Sequence, residues 1–176
     1  MRSEFLNSLS CGGCAVKDSA TRFGGTVLIV KPHCLPRVAS YLNDVGWYLE
    51  DITVCDFHEG FQSLHHFAHY EIPGRTTLRS FVPHDDPRIP SLASLYPAAD
   101  WHEREAMDFY PVDFTNHPQP LPLLLDPAQA HAFPLVKKEG ERISFFKVVP
   151  PSKLFELEDA CPIPLLAEDG EPDEAG

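Results

Sequence analysis

The last third of the chain is rich in proline, and this limits its fold more than any other feature. Proline lacks a backbone N–H and its ring clashes with the preceding helical turn, so it interrupts long helices and central strands. Residues 111–134 therefore cannot form either, and we predict that they run extended over the surface of their own domain or of a partner. The prolines of this segment are Pro111, Pro118, Pro120, Pro122, Pro127 and Pro134.

The first half of the chain has the patterns of a small sheet with one helix. A β-branched run at 26–31 predicts a buried strand. The segment after it places four apolar residues on one face of a helix, with Gly46 as the natural C-terminal cap. Further runs at 47–57, 61–72 and 76–82 predict strands. The order β-α-β-β-β indicates an α+β fold, in which a small mixed sheet carries a helix on one face. The four helical residues are Leu35, Val38, Ala39 and Leu42.

Composition also suggests where the domain begins and ends. Residues 1–25 are polar and interrupted by glycine, so we predict a flexible N-terminal arm. We expect the folded domain at 26–138 and a C-terminal extension at 139–176, with an acidic, disordered tail. The smaller predicted elements are a linker at 83–90, short helices at 91–96 and 100–110, and a final strand at 142–149.

Charge and composition exclude several classes of function. The 176 residues suit one domain, and a hydrophobic content of 43% is typical of a globular protein. A formal net charge of -12 argues against nucleic-acid binding and against adhesion to anionic lipid. No apolar run is long enough to span a bilayer, and the N-terminus lacks the apolar core of a secretory signal. We therefore expect a cytoplasmic protein with reduced cysteines.

Two groups of residues are candidates for metal binding. Cys11 and Cys14 form a CxxC, but structural zinc needs four ligands, and the remaining cysteines stand alone in the sequence. His65, His66 and His69 would meet on a helix, whereas on the predicted strand His66 points away from the other two. We favour ordinary structural roles for both groups. The alternative is a stand-alone cytosolic metal-binding protein that uses Cys11, Cys14 and the histidines.

The second short helix combines many charges with aromatic residues. Asp100 and Glu103 have the spacing of a capping box, and Arg104 and Asp108 that of an i,i+4 ion pair. This explains most of the charge without catalysis, which would need a cleft and a carboxyl group of raised pKa. Trp101 and Arg104 are residue types that anchor protein interfaces. From these residues alone, a docking helix and a self-capped helix packed on its own sheet both remain open.

Residues 99–118, ADWHEREAMDFYPVDFTNHP, resemble the signature of the thirty-kilodalton subunit of respiratory complex I, the proton-pumping NADH:quinone oxidoreductase. That signature reads approximately W-x-E-R-E-x-x-D-x-F/Y-G-I-x-F-x-G-H-P. The resemblance extends over residues 26–138 and includes part of a closing P-L-R-K motif. The matching residues are Trp101, Glu103, Arg104, Glu105, Asp108, Tyr110, Phe114, His117 and Pro118 in the signature, and Pro134, Leu135 and Lys137 in the closing motif.

The chain also departs from the family pattern. Pro111 and Asn116 stand where the family has glycine, and Val136 replaces an arginine. Proline cannot supply a left-handed C-cap, so the helix must end in another way, whereas asparagine is tolerated in a turn. These departures resemble the branch of the family found in energy-converting NiFe hydrogenases.

The resemblance implies a non-catalytic scaffold subunit of a membrane-bound, complex I-like oxidoreductase. The thirty-kilodalton subunits of this family bind no cofactor, and the iron–sulfur clusters and any NiFe centre belong to partner subunits. Each clamps a large subunit, similar to that of NiFe hydrogenase or to the D subunit of complex I, on the cytoplasmic side of the inner membrane without spanning it. The matching residues are then expected to form the partner interface, and none of them to be catalytic.

Overall fold

The computed structural model describes residues 15–18, 25–129 and 131–149, and within them the fold is the predicted α+β layer. Two α-helices lie in this part of the chain, α1 (Leu35–Asp44) and α2 (Ala99–Phe109). Its strands are β1 (Ala15–Asp18), β2 (Thr26–Val30), β3 (Tyr48–Asp56), β4 (Phe61–Ala68), β5 (Thr76–Val82), β6 (Arg88–Pro90) and β7 (Asp113–Thr115). Short 3-10 helices occupy Pro32–Cys34, Pro127–Gln129 and Phe145–Lys147.

Five of the strands form one mixed sheet in the order β1-β2-β5-β4-β3. β2 and β5 are parallel, and the other neighbours are antiparallel. The predicted order β-α-β-β-β between β2 and β5 is therefore confirmed. β1 lies in the stretch that the sequence assigned to a flexible arm. It pairs with β2 along its whole length, so this part of the stretch extends the sheet.

α1 covers one face of the sheet because its apolar residues recur every three or four positions. Leu35, Val38, Ala39 and Leu42 are all 0% exposed and pack against the strands. Complete burial of a leucine or valine side chain contributes about 1.5–3 kcal/mol relative to exposure, so these contacts hold the helix on the sheet. Gly46 follows the helix with a φ of 83°, a left-handed conformation that glycine adopts without strain.

The opposite face of the sheet is covered in part by residues 137–149, which we call the C-terminal strap. Phe145 of the strap is 1% exposed and packs against Ile29, Phe57 and Phe81. Ile29 alternates with the residues that face α1, so this second hydrophobic cluster lies on the other side of β2. The strap therefore closes the core from the side that α1 leaves open.

The predicted strand at 142–149 is wrong, because the strap forms a 3-10 turn there instead. The amide of Phe145 donates to Oε2 of Glu59 at 2.7 Å, and the hydroxyl of Ser144 donates to Oε1 of the same carboxylate. The Ser144 oxygen also accepts from the amide of Phe146. These bonds use the amides of Phe145 and Phe146 that a β ladder would need, so the segment forms a turn and not a strand.

Asp56, at the end of β3, holds the beginning of the strap. Its side chain is buried, and Oδ1 accepts from His84 Nε2 at 2.9 Å. Oδ2 accepts from the amide of Lys137 at 2.9 Å and from Nε of Arg142 at 3.0 Å. Burial alone would raise the pKa of Asp56, but the bonds from His84, Lys137 and Arg142 and the charge of Arg142 together lower it. The carboxylate thus joins β3 to two segments that follow much later in the chain.

A second sheet contains β6 and β7, which pair in parallel and flank α2 in the sequence. β6 lies in the predicted linker, which is therefore not wholly irregular. The helix predicted at 91–96 is also wrong. This segment is a turn, in which the buried Tyr96 hydroxyl lies 3.0 Å from the Ala39 carbonyl oxygen and 3.2 Å from that of Trp47. The sequence did not predict β6 and β7, because a strand of three residues is too short to show an alternation of buried and exposed side chains. Pro90 also argues against a strand at β6.

Candidate docking surface

α2 does not begin with the predicted capping box. The helix starts at Ala99, and Ala98 supplies no side-chain cap. Asp100 already lies inside the first turn, so Glu103 cannot reach back to an N-cap amide. Glu103 instead points inward, where Oε1 accepts from the amide of Leu92 at 2.7 Å and Oε2 accepts from the hydroxyl of Ser91. The residue that was expected to cap the helix therefore fastens it to the turn that precedes it.

Glu103 has a raised pKa, which the sequence did not indicate. The side chain is 0% exposed, and burial raises its pKa to about 7, helped by the nearby charge of Asp100 and opposed by the bonds from Ser91 and Leu92. A carboxyl group with no exposed surface cannot meet a substrate directly. The raised pKa therefore bears on the stability of this part of the fold.

His117 lies beside Glu103 and is also buried. Its Nδ1 accepts from the amide of Gln119 at 3.1 Å, so the proton of the neutral ring is on Nε2. Nε2 faces the carbonyl oxygen of Asp100 at 3.3 Å and lies 3.8 Å from Oε2 of Glu103. Asn116 has a φ of 63°, which confirms the prediction that asparagine serves the turn before His117. This turn brings the segment after β7 back against α2.

Arg104 does not pair with Asp108, contrary to the i,i+4 prediction. Its Nε donates to the carbonyl oxygen of Leu121 at 2.8 Å, and its Nη2 donates to that of Pro122 at 3.0 Å. Within the helix its partner is Asp100, at 3.7 Å. The guanidinium therefore binds backbone carbonyls of the proline-rich segment, which crosses α2 at this point.

Asp108 binds the next part of the same segment. Its Oδ2 accepts from the amides of Leu123, Leu124 and Leu125 at 3.0, 2.6 and 3.0 Å. We call residues 120–125 the leucine loop. Arg104 holds the carbonyls at its beginning and Asp108 holds the amides at its end, so each charge binds backbone groups of the opposite partial charge.

The leucine loop and α2 present large apolar side chains to solvent. Trp101 is 64% exposed, Leu121 is 55% exposed and Leu124 is 59% exposed. Trp101 precedes Arg104 by one turn of α2, and Arg104 binds the carbonyl of Leu121, so the exposed groups lie close together. Sequence reasoning missed Leu121 and Leu124. The run LPLLL between prolines was the sequence signal for these exposed leucines, because leucines in a segment without secondary structure cannot pack into a core formed by that segment.

The remaining residues predicted for the interface divide into buried and exposed groups. Glu103, Asp108, Phe114 and His117 are buried within the chain, so their side chains support the surface rather than form it. Tyr110 is half-buried and contacts Phe61. The exposed members are Trp101, Glu105, Pro118, Pro134, Leu135 and Lys137, and Arg104 is half-buried.

The end of α2 follows from Pro111, as predicted. Tyr110 leaves the helix in an extended conformation, with φ of −133° and ψ of 147°, instead of a left-handed one. Its amide still donates to the carbonyl of Ala106. The chain therefore continues from the helix toward β7 in an extended conformation.

The three histidines of β4 and the turn after it make separate contacts. His65 is 0% exposed, and burial lowers its pKa to about 3, with a smaller contribution from the charge of His66. His66 Nδ1 lies 2.9 Å from Thr77 Oγ1, and His69 Nδ1 accepts from two amides of the following turn. In the described part of the chain, no three His, Cys, Asp or Glu side chains are grouped so that they could hold a metal ion.

Of the two cysteines that the structure describes, one differs from the expectation of reduced thiols. Cys34 is disulfide-bonded. Cys55 is a free, half-buried thiol, and burial raises its pKa. Cys11, Cys14 and Cys161 lie outside the described residues.

No helix in residues 15–18, 25–129 and 131–149 is long and apolar enough to cross a membrane. The family model described as respiratory-chain NADH dehydrogenase, 30 Kd subunit, matches residues 28–141. The chain is 37% identical over 76 residues to the C subunit of the F(420)H(2) dehydrogenase of Methanosarcina mazei, covering 43% of this chain and 48% of that protein. It is 31% identical over 136 residues to the C subunit of the NADH-quinone oxidoreductase of Sinorhizobium medicae, covering 70% and 67%. The chain thus spans about half of the first relative and two thirds of the second.

Solved structures show the same fold at lower identity. A trypsin-resistant fragment of Nqo5 superposes with a TM-score of 0.58 at 21% identity, covering 68% of this chain and 99% of the fragment. A component of the membrane-bound sulfane sulfur reductase, an archaeal respiratory membrane complex, superposes with a TM-score of 0.64 at 18% identity, covering 100% and 99%. At these identities the likeness establishes the architecture.

Proposed function

Because the chain belongs to the family of the 30 Kd subunit of respiratory-chain NADH dehydrogenase, we propose that it is a non-catalytic scaffold subunit of a membrane-bound, complex I-like oxidoreductase. The assembly would be an energy-converting NiFe hydrogenase or an NADH:quinone oxidoreductase. Two relatives, named as the C subunits of an F(420)H(2) dehydrogenase and of an NADH-quinone oxidoreductase, support this placement.

In this proposal the chain docks a large subunit that resembles that of NiFe hydrogenase or the D subunit of complex I. The iron–sulfur clusters and any NiFe centre reside on partner subunits, and this chain binds no cofactor. It lies peripherally on the cytoplasmic side of the membrane through the complex. Its part in electron transfer is then to fix the position of the subunits that carry the redox centres.

The observation that carries the proposal is the pair of charges beneath the exposed leucine loop. Arg104 and Asp108 use five hydrogen bonds to hold a segment that buries little of its own apolar surface. In the isolated chain, holding Leu121 and Leu124 in one conformation costs conformational entropy and buries little apolar surface in return. A partner that buries both leucines together with Trp101 would explain this fixed conformation, because a preformed surface loses less entropy on binding.

A stand-alone metal-binding role has less support. His65, His66 and His69 each have a different environment, and His65 lies in the core. Cys11 and Cys14 lie outside the described residues. Family membership also predicts a subunit of an assembly instead of an isolated protein.

Co-purification of the tagged chain with the large subunit, both expressed together, tests the proposal. Trp101→Ala and Leu124→Ala should each weaken the complex about 30-fold or more, the range of interface hot spots. Tyr70→Ala is a matched control, because Tyr70 is 88% exposed and lies in the turn between β4 and β5. Equal recovery of the large subunit by all three variants would contradict the proposed docking surface, and so would failure of the wild-type chain to co-purify.

A further inference from the structure

A pocket of about 450 Å³ opens between the C-terminal half of α2 and the proline-rich segment. Its walls are mostly apolar and include Met107, Val112, Pro122 and Phe133. Leu121 belongs both to this pocket and to the exposed apolar surface described above, so the two are continuous. The pocket is therefore open to the same partner that would cover the leucine loop.

The charges of the pocket are acidic. Asp108 and Asp113 both line it, and its lining contains no lysine or arginine among the residues that the structure describes. Asp108 is buried and bonded to the leucine loop, whereas Asp113 is exposed. The nearest base in the sheet register is Arg88, opposite Asp113; both carboxylate oxygens of Asp86 hold its guanidinium, and its charge interacts more weakly with Asp113. Asp113 is thus the carboxylate best placed to meet a cation from outside.

Two residues of the pocket lining have an uncommon backbone conformation. His131 and Phe133 have φ values of 72° and 43°, and their rings meet edge to face at 5.8 Å. A positive φ is unfavourable for a non-glycine residue and persists only where its surroundings enforce it. This conformation places an aromatic residue in the lining of an acidic pocket, where a cation would meet both a carboxylate and a ring.

We propose that this pocket receives an arginine side chain of the docked large subunit, a proposal that rests on the docking function above. The aliphatic stem of an arginine would pack on the apolar walls. Its planar guanidinium would pair with Asp113 and stack on the ring of Phe133, a combination that the compact ammonium of lysine matches poorly. The net charge of -12 favours a partner with a basic surface in the same way.

Binding of the large subunit by Asp113→Asn, measured across a range of salt concentrations, tests the inference. We expect an affinity about tenfold below that of the wild type, with a weaker dependence on salt, because one attractive charge pair is lost. Asp113→Arg should bind more weakly still. Phe133→Leu should also lose affinity, while its salt dependence stays that of the wild type. Glu71→Gln is the control, since it removes one exposed charge in the turn between β4 and β5.

The outcomes separate this inference from the docking function. If Trp101→Ala weakens the complex but Asp113→Asn binds like the wild type at every salt concentration, the arginine pocket is wrong and the docking surface stands. A small molecule retained by the purified chain, detected by native mass spectrometry and displaced by Phe133→Leu, would also overturn it. If the wild-type chain does not bind the large subunit at all, both proposals fail.

Discussion

Replacing Asp108 by alanine should release the leucine loop while leaving the rest of the domain folded. Three consecutive amides lose their common acceptor in this variant. Arg104 still binds the two carbonyls at the beginning of the loop. The apolar core does not depend on these bonds, so we expect a local effect rather than global unfolding.

The size of the effect follows from the type of bond. Hydrogen bonds to a charged acceptor contribute about 1.5–3 kcal/mol each. The three do not add fully, because amides released at this surface can bind water. We therefore expect the loop to lose about 2–4 kcal/mol of local stability, which corresponds to exchange of its amides about 30- to 1,000-fold faster.

Hydrogen exchange of the Leu123, Leu124 and Leu125 amides measures this directly, and a melting curve of the same sample monitors the domain. Asp108→Asn keeps one oxygen acceptor and should show a smaller increase in exchange rate. Glu105→Ala, an exposed change on the same helix, should show none. The reasoning is refuted if these amides exchange at the wild-type rate in Asp108→Ala, or if the whole domain unfolds together with the loop.

Three further predictions concern the fold that supports the surface. The pKa of Glu103 is about 7 in the folded chain, against an ordinary value of 4.5. The contribution of the neutral side chain to the free energy of unfolding is therefore fully present below pH 4.5 and is lost as pH rises through 7. Glu103→Gln should abolish this loss, at most about 3 kcal/mol, in urea unfolding at pH 4.5 and 8. The sign is opposite for Asp56, because its pKa is lowered in the folded chain. The contribution of this carboxylate to the free energy of unfolding is present above pH 3.8 and is lost as pH falls further. Asp56→Asn should therefore flatten the acid side of the same profile. Asn116→Gly should keep the wild-type melting temperature, whereas Asn116→Val should cost about 1–2 kcal/mol at a φ of 63°.

The sheet and α1 could be predicted from the sequence because their burial follows their own periodicity. Leu35, Val38, Ala39 and Leu42 repeat at the spacing of a helix, and each is fully buried where the pattern placed it. The strap could not be predicted in this way. Phe145 enters the core as a single anchor in a short turn, and nothing in the neighbouring residues identifies Glu59 as its partner.

The charges of α2 were misassigned for a related reason. Within the sequence, Glu103 has the right spacing to cap and Arg104 to pair with Asp108, and both local rules are sound for an isolated helix. In the fold, backbone groups of other segments compete for these side chains. The turn at Leu92 and the leucine loop offer amides and carbonyls that lack helix or strand partners, and such groups bind charges more strongly than an exposed ion pair does.

The bonds of Asp56 and Glu59 to the strap also set an order of folding. Asp56 and Arg142 are separated by 86 residues, as are Glu59 and Phe145. Closing so long a loop costs entropy before the contacts return any free energy, so these contacts form after the hairpins of the sheet. During synthesis Ile29, Phe57 and Phe81 stay uncovered until the strap has left the ribosome, and in that interval the nascent chain can aggregate. Phe145→Ala should accordingly speed unfolding and leave the folding rate unchanged in stopped-flow experiments.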